Sequence, residues 1–71
     1  MNTTDQFIRG LKTAAQMTGV PKGIACKRAG VNEATLYRFL NRETDIKLVT
    51  LSAICNLGYG MSLSKVIALG E

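Results

Sequence analysis

The stretch GIACKRAGVNEATLYRFLN, residues 23–41, decides the fold expected of this chain. Gly30 divides it into two short helices, because glycine readily takes the positive φ that a tight reversal needs. Pro21 suits the first turn of the first helix, where its missing amide costs nothing. Asn32 suits the cap of the second, since its side chain can accept a first-turn amide hydrogen. The pattern predicts two helices joined by a short turn over about residues 21–41.

The side chains of this helix pair separate into an inward and an outward set. Cys26 stands where the two helices come closest, so a small side chain is needed there. The first helix is predicted to turn three apolar residues inward: Ile24, Ala25 and Ala29. The second helix, from about Glu33 to Asn41, buries residues spaced i, i+3 and i+4: Leu36, Phe39 and Leu40. Its remaining residues point outward: Glu33, Ala34, Tyr37, Arg38 and Asn41.

Hydrophobic periodicity continues on both sides of the pair. Residues 4–18 are predicted to form a first helix that Gly19 ends. Thr44 or Asp45 can cap a fourth helix that ends at Gly58. The inward stripe predicted for the fourth helix is Leu48, Leu51, Ile54, Cys55 and Leu57.

The tail from Tyr59 fits either a short fifth helix or an edge strand, and the helix is favoured. With 71 residues, of which 46% are hydrophobic and 20% charged, the chain has room for one core. The sequence therefore predicts a single all-α domain over residues 1–71, a compact bundle of four to five helices with a possible short C-terminal strand.

The formal charge of +4 is concentrated in one part of the chain. Residues 21–43 carry five basic side chains against Glu33 and Glu43. Local basicity suits an anionic partner, either a nucleic-acid backbone or a membrane surface. An ordinary solvated face explains the charge equally well, so charge alone leaves these alternatives open.

Residue types argue against several other classes of protein. The chain has no histidine and only two cysteines, Cys26 and Cys55, which are too far apart in sequence for a metal-ligand pair. These side-chain types offer no catalytic nucleophile paired with a general base. We therefore expect no enzyme activity, no metal and no cofactor. Neither a signal peptide nor an apolar run of membrane-spanning length is recognisable. We expect the two cysteines to be small buried apolar side chains with free thiols, as in proteins of a reducing compartment. This expectation favours a cytoplasmic protein.

Residues 19–66 resemble the Cro/repressor family of helix-turn-helix proteins, also described as lambda repressor-like or XRE-type. In that family a small residue precedes the turn glycine by four positions, and here it is Cys26. The fourth-helix residues Leu51, Ile54, Leu57 and Gly58, followed by MSLSKV at residues 61–66, are similar to the family's downstream segment. The resemblance implies a sequence-specific DNA-binding transcriptional regulator, associated with the nucleoid, whose second motif helix enters the major groove.

Roles for the outward residues follow from helix geometry and this resemblance. Candidate base contacts are Glu33, Ala34, Tyr37, Arg38 and Asn41. Arg38 can pair with guanine in a bidentate manner, and Ala34 or Tyr37 can rest on thymine methyl groups. Glu33 can accept from cytosine or can simply favour the helix N-terminus as a first-turn acid. Candidate phosphate contacts are Lys22, Asn32, Thr35 and Arg42, of which the resemblance implies the first two most directly.

The predicted DNA-binding role also implies binding partners for the chain. One recognition helix reads too few base pairs for useful selectivity, so a homodimer on a palindromic operator is predicted. Its interface is placed on the apolar tail residues Tyr59, Met61, Leu63, Val66 and Ile67, which can alternatively close the monomer's own core. The chain is similar in size to phage Cro-like repressors, and LYRFLN with LSAICNLGYGMSLS is also similar to HigA-like antitoxins. The second resemblance implies a toxin partner and repression of the protein's own operon.

Overall fold

The structure, a computed structural model, describes residues 3–71. These residues form five α-helices and no strand, with a π-helical segment that directly continues the fourth helix. The helices are α1 (Thr3–Thr18), α2 (Lys22–Ala29), α3 (Glu33–Leu40), α4 (Leu48–Ala53, continued by the π-helical segment Ile54–Gly58) and α5 (Leu63–Leu69). The predicted all-α class is confirmed, and the tail after Tyr59 is a helix rather than an edge strand.

The first and last helices pack against each other with their backbones in direct contact. Gly10 of α1 is buried, and a β-carbon at that position would overlap the carbonyl oxygen of Val66. A β-carbon on Gly70, which follows α5, would likewise overlap the carbonyl oxygen of Gln6. This contact closes the core around the fully buried Leu11 and Val66. Its close approach is possible only because both glycines lack a side chain.

The inward face of α4 differs from the sequence prediction. Leu51, Ile54 and Cys55 are buried as expected, but Leu48 and Leu57 are 69% and 60% exposed. Leu48 is the first residue of the helix, after Lys47 as the N-cap. The prediction for Leu57 failed because a π-helical turn is wider than an α-helical one and rotates the residues that follow.

Gly58 takes the inward place that was predicted for Leu57. A β-carbon on Gly58 would lie 2.6 Å from the β-carbon of Ala25, so α2 and the end of the π-helical segment approach very closely. Capping at the other end of α4 was also predicted wrongly, because Lys47 rather than Thr44 or Asp45 is the N-cap residue.

The first helix of the predicted pair needs two smaller corrections. Pro21 precedes α2 in the N-cap position with an extended conformation, and its carbonyl oxygen accepts from the amide of Ala25 at 3.1 Å. Ile24 is 44% exposed instead of inward, while Ala25 and Cys26 are fully buried. Small residues line the inward face of α2 because Gly58 packs directly against it.

Among residues 3–71, three ionisable groups are buried in this core: Cys26, Cys55 and Tyr59. Cys26 and Cys55 are free thiols, and burial raises the pKa of Cys55 from 9.0 to about 11. Burial is also the main cause that raises the pKa of Tyr59 to about 12. The Tyr59 hydroxyl has no hydrogen-bond partner among residues 3–71. All three groups therefore favour their neutral forms in the folded protein.

These pKa values predict that the fold loses stability in alkali. A raised folded-state pKa stabilises the fold fully below the unfolded value, and that stabilisation is lost as the pH rises through the folded value. For Cys55 the loss spans pH 9.0 to about 11. We expect the free energy of unfolding, measured with urea, to fall over that range. Cys55→Ala should fall less steeply, whereas an identical fall in both proteins would contradict the assignment.

Candidate nucleic-acid interface

The turn between α2 and α3 is held by backbone and side-chain hydrogen bonds. Gly30 adopts a φ of +71°, and the amide of Val31 donates to the carbonyl oxygen of Cys26 at 2.9 Å. Oδ1 of Asn32 accepts from the amide of Ala34 at 2.9 Å and so caps α3. The predicted turn glycine and the predicted cap residue are both confirmed. The two short helices are therefore fixed at their junction by local interactions.

The inner face of α3 anchors this helix to the rest of the protein. Leu36 is fully buried and Phe39 nearly so, while Leu40 packs partly buried against the same core. The Phe39 ring lies 6.1 Å from the Phe7 ring of α1, centroid to centroid, at 58°, a separation typical of aromatic pairs. Side chains of this size leave α3 little freedom to rotate about its axis.

The outer face of α3 carries the predicted base-contacting set. All five are exposed, the first four on the helix and the last at its C-cap: Glu33, Ala34, Tyr37, Arg38 and Asn41. Within residues 3–71, Arg38 forms no ion pair. The structure thus presents one exposed guanidinium among small and amphipathic side chains on a short, rigidly anchored helix.

Glu33 has a position that the sequence did not predict. A β-carbon on Gly23 would lie 2.9 Å from Oε1 of Glu33, so the carboxylate lies over the first turn of α2. It is also in the first turn of α3. A negative charge is stabilised near a helix N-terminus, and this one is near two. The position favours the first-turn role for Glu33 over a contact with a base.

The predicted phosphate contacts fall at opposite ends of α3. The contact between Gly23 and Glu33 places the N-terminal ends of α2 and α3 side by side, which brings Lys22 and Asn32 to one end of the helix pair. Lys22 is half-buried and Thr35 is exposed. Arg42 lies beyond the C-terminal end of α3. The candidates therefore flank the exposed face of α3 instead of forming one cluster.

Two basic side chains of residues 21–43 have partners within the protein. The guanidinium of Arg42 forms an ion pair with Asp5 of α1. Nη1 of Arg28 donates to the carbonyl oxygen of Gly58 at 3.2 Å, so Arg28 ties α2 to the end of the π-helical segment. Arg42, which is among the residues predicted to contact phosphate, must therefore exchange a charged protein partner for DNA.

Of the tail residues predicted to form a dimer interface, two are buried in the monomer's core and three pack partly buried against it. Tyr59 is 7% exposed and Val66 fully buried, so neither offers a surface to a second chain. Met61, Leu63 and Ile67 are partly buried and pack against the same core. Burial in or against the monomer's own core, which was the alternative that the sequence left open, accounts for the apolar character of these residues.

Comparisons with known proteins add no family to this picture. No family model, no curated protein and no solved structure matches the chain. Among residues 3–71, no helix is long and apolar enough to cross a bilayer. The same residues contain no group of three or more potential metal-ligating side chains of the histidine, cysteine and carboxylate types.

Proposed function

We propose that this protein is a sequence-specific DNA-binding transcriptional regulator of the Cro/repressor type. In this proposal α2 and α3 form a helix-turn-helix, and α3 enters the major groove of an operator. One observation carries the proposal: α3 is anchored by buried Leu36 and Phe39 while every residue predicted to read bases is exposed. Binding to chromosomal DNA would associate the protein with the nucleoid.

The exposed residues of α3 divide by the contacts their chemistry allows. Arg38 presents a planar pair of donors that matches O6 and N7 of guanine. Tyr37 and Ala34 offer apolar surface for a thymine methyl group, and the amide of Asn41 can pair with adenine. We leave Glu33 out of the base-reading set, because its carboxylate lies over the N-terminal turn of α2.

The phosphate contacts hold the docked helix at both ends. Lys22 and the amide group of Asn32 approach the backbone at the N-terminal end of the pair, and Thr35 does so along α3. Arg42 contributes at the other end once its ion pair with Asp5 opens. Such contacts position a protein without reading sequence, and each phosphate neutralised makes the affinity more sensitive to salt.

Selection of binding sites from random duplex DNA tests the proposal directly. We expect one enriched motif, with wild-type affinity that falls as salt rises. Recovery of no enriched motif from a folded protein would overturn the proposed sequence specificity. Weak binding to all duplexes alike would show only the electrostatic attraction expected of a basic protein.

Arg38→Ala is predicted to weaken binding to the selected site by about 1–3 kcal/mol and to relax the preference for guanine at one position. Folding should be unaffected because the side chain is exposed. Lys12→Ala is the matched control, since it removes one exposed positive charge from α1 instead of α3. Fluorescence anisotropy with labelled duplexes measures both. Equal losses in the two variants would mean that Arg38 contributes charge but no base contact.

A further inference from the structure

A cleft lies among α1, α5, the start of α4 and the loop that joins α3 to α4. Its inner part has a volume of about 240 Å³ and is lined mainly by apolar side chains, among them Phe7 and Leu63. Its outer part has a volume of about 420 Å³ and is lined mainly by polar residues of the loop. Thr4, Phe39 and Asp45 line both parts. The two parts therefore adjoin, and we refer to these three residues as the junction.

The inner part of the cleft is large enough for an apolar group. Phe7 and Leu51 line it while being 3% and 9% exposed, and Leu48 lines it while being 69% exposed. Apolar cavities of about 150 Å³ with leucine, isoleucine and phenylalanine walls hold a benzene ring. The inner part thus has room for one aromatic ring or branched alkyl group.

The charges around the cleft are mostly negative. Within residues 3–71, the charged side chains that line it are Arg42, Glu43 and Asp45. The charge of Arg42 is compensated by its ion pair with Asp5, whereas Glu43 and Asp45 form no ion pair in the same range. Lys47 follows closely in sequence but lines neither part. A protein of charge +4 therefore presents unpaired carboxylates at this place.

We propose that the cleft binds a small amphipathic cation, a molecule that carries one aromatic or branched alkyl group and one ammonium group. The apolar group occupies the inner part, and the ammonium lies at the junction beside the carboxylate of Asp45. The Phe39 ring at the same junction can add a cation–π contact. An anionic ligand of the same shape is disfavoured, because the unpaired carboxylates repel it. This site goes beyond the proposed DNA contact and does not depend on it.

Three probes with the same phenyl group and different heads test the charge of the ligand: 2-phenylethylammonium, 2-phenylethanol and 3-phenylpropionate. We expect a dissociation constant of about 0.1–1 mM for the ammonium, given its few heavy atoms. The alcohol should bind about two- to fivefold more weakly, as expected for the loss of one solvent-exposed ion pair. The carboxylate should bind more weakly still. Titrations of the full chain without DNA, followed by amide NMR shifts, measure all three constants independently of the proposed function.

A substitution at Asp45 tests the place of the ammonium. Asp45→Asn should weaken binding of the ammonium probe about two- to fivefold and leave binding of the alcohol unchanged. Glu33→Gln is the matched control, because it also removes one negative charge but lies at the other end of α3. It should leave the affinities of both probes as in the wild type.

A substitution at Thr4 tests whether the probes occupy the cleft. Thr4 is exposed on α1 and belongs to the junction, so Thr4→Trp should fill the junction without disturbing the core. Binding of both the ammonium and the alcohol should weaken at least about tenfold. Thr18→Trp makes the same change at an exposed residue at the other end of α1 and should have no effect. Circular dichroism establishes that both variants keep their helices.

Three outcomes would overturn the inference. The first is a wild-type protein whose amide shifts do not approach saturation with about 20 mM of the ammonium probe, well above the expected constant. The second is equal affinity for the three probes, which would remove the preference for a cation. The third is a Thr4→Trp variant that binds like the wild type, which would place the probes outside the cleft.

Discussion

Gly10→Ala is expected to destabilise the fold by at least about 3 kcal/mol, although the substitution adds only one methyl group. The new β-carbon would overlap the backbone carbonyl oxygen of Val66. A backbone atom cannot swing away as a flexible side chain can, so α1 and α5 would have to separate. A domain of this size has roughly 4–10 kcal/mol of stability in total. The variant should therefore lose a large share of it.

Gly23→Ala is the matched control for this prediction. It is the same substitution at another helical glycine, but the new β-carbon would meet only the end of the Glu33 side chain at 2.9 Å, which can move. Alanine is also the better helix former by about 1 kcal/mol. Urea unfolding of the two variants should show a large loss for Gly10→Ala and little loss or a gain for Gly23→Ala. Similar stabilities would mean that α1 and α5 do not approach as closely as the structure shows.

Leu36→Ala is the second substitution with a large expected effect, about 2–5 kcal/mol of lost stability. Leu36 is fully buried and holds α3 against the core, so truncation removes apolar contacts and leaves a cavity. Specific DNA binding should weaken as well, because the helix proposed to enter the major groove would lose its anchor.

Leu48→Ala makes the same chemical change at a residue that is 69% exposed. It is expected to change the free energy of unfolding by less than about 0.5 kcal/mol. Thermal and urea unfolding of both variants measure the difference. A Leu36→Ala protein as stable as Leu48→Ala would contradict the burial of Leu36.

Local signals in the sequence predicted the centre of the fold well. Gly30 and Asn32 act within one turn of the chain, so their residue types were sufficient to predict the turn and the cap between α2 and α3. The i, i+3, i+4 spacing of Leu36, Phe39 and Leu40 likewise defined the inner face of α3. Exposure of the five outward residues followed directly from that face.

Features that depend on distant parts of the chain were not predictable in the same way. The π-helical turn that exposes Leu57 arises where α4 packs on α2, and helical periodicity assumes that no such turn exists. The ion pair of Arg42 with Asp5 joins a loop to α1. A glycine in the middle of a strongly helical pattern, Gly10, was the one available signal for close packing on α1, because glycine weakens a helix unless another element approaches it.

The contact between Gly10 and Gly70 also has a consequence for how the protein folds during synthesis. These residues are 60 positions apart in the chain, so α1 leaves the ribosome long before its partner α5 exists. Loops that must close over such a separation form late, whereas neighbouring helices pair early. We expect α2, α3 and α4 to associate first, while the part of α1 around Gly10 that packs on α5 stays exposed until α5 has left the ribosome. During that interval the nascent chain is most open to proteases and to aggregation.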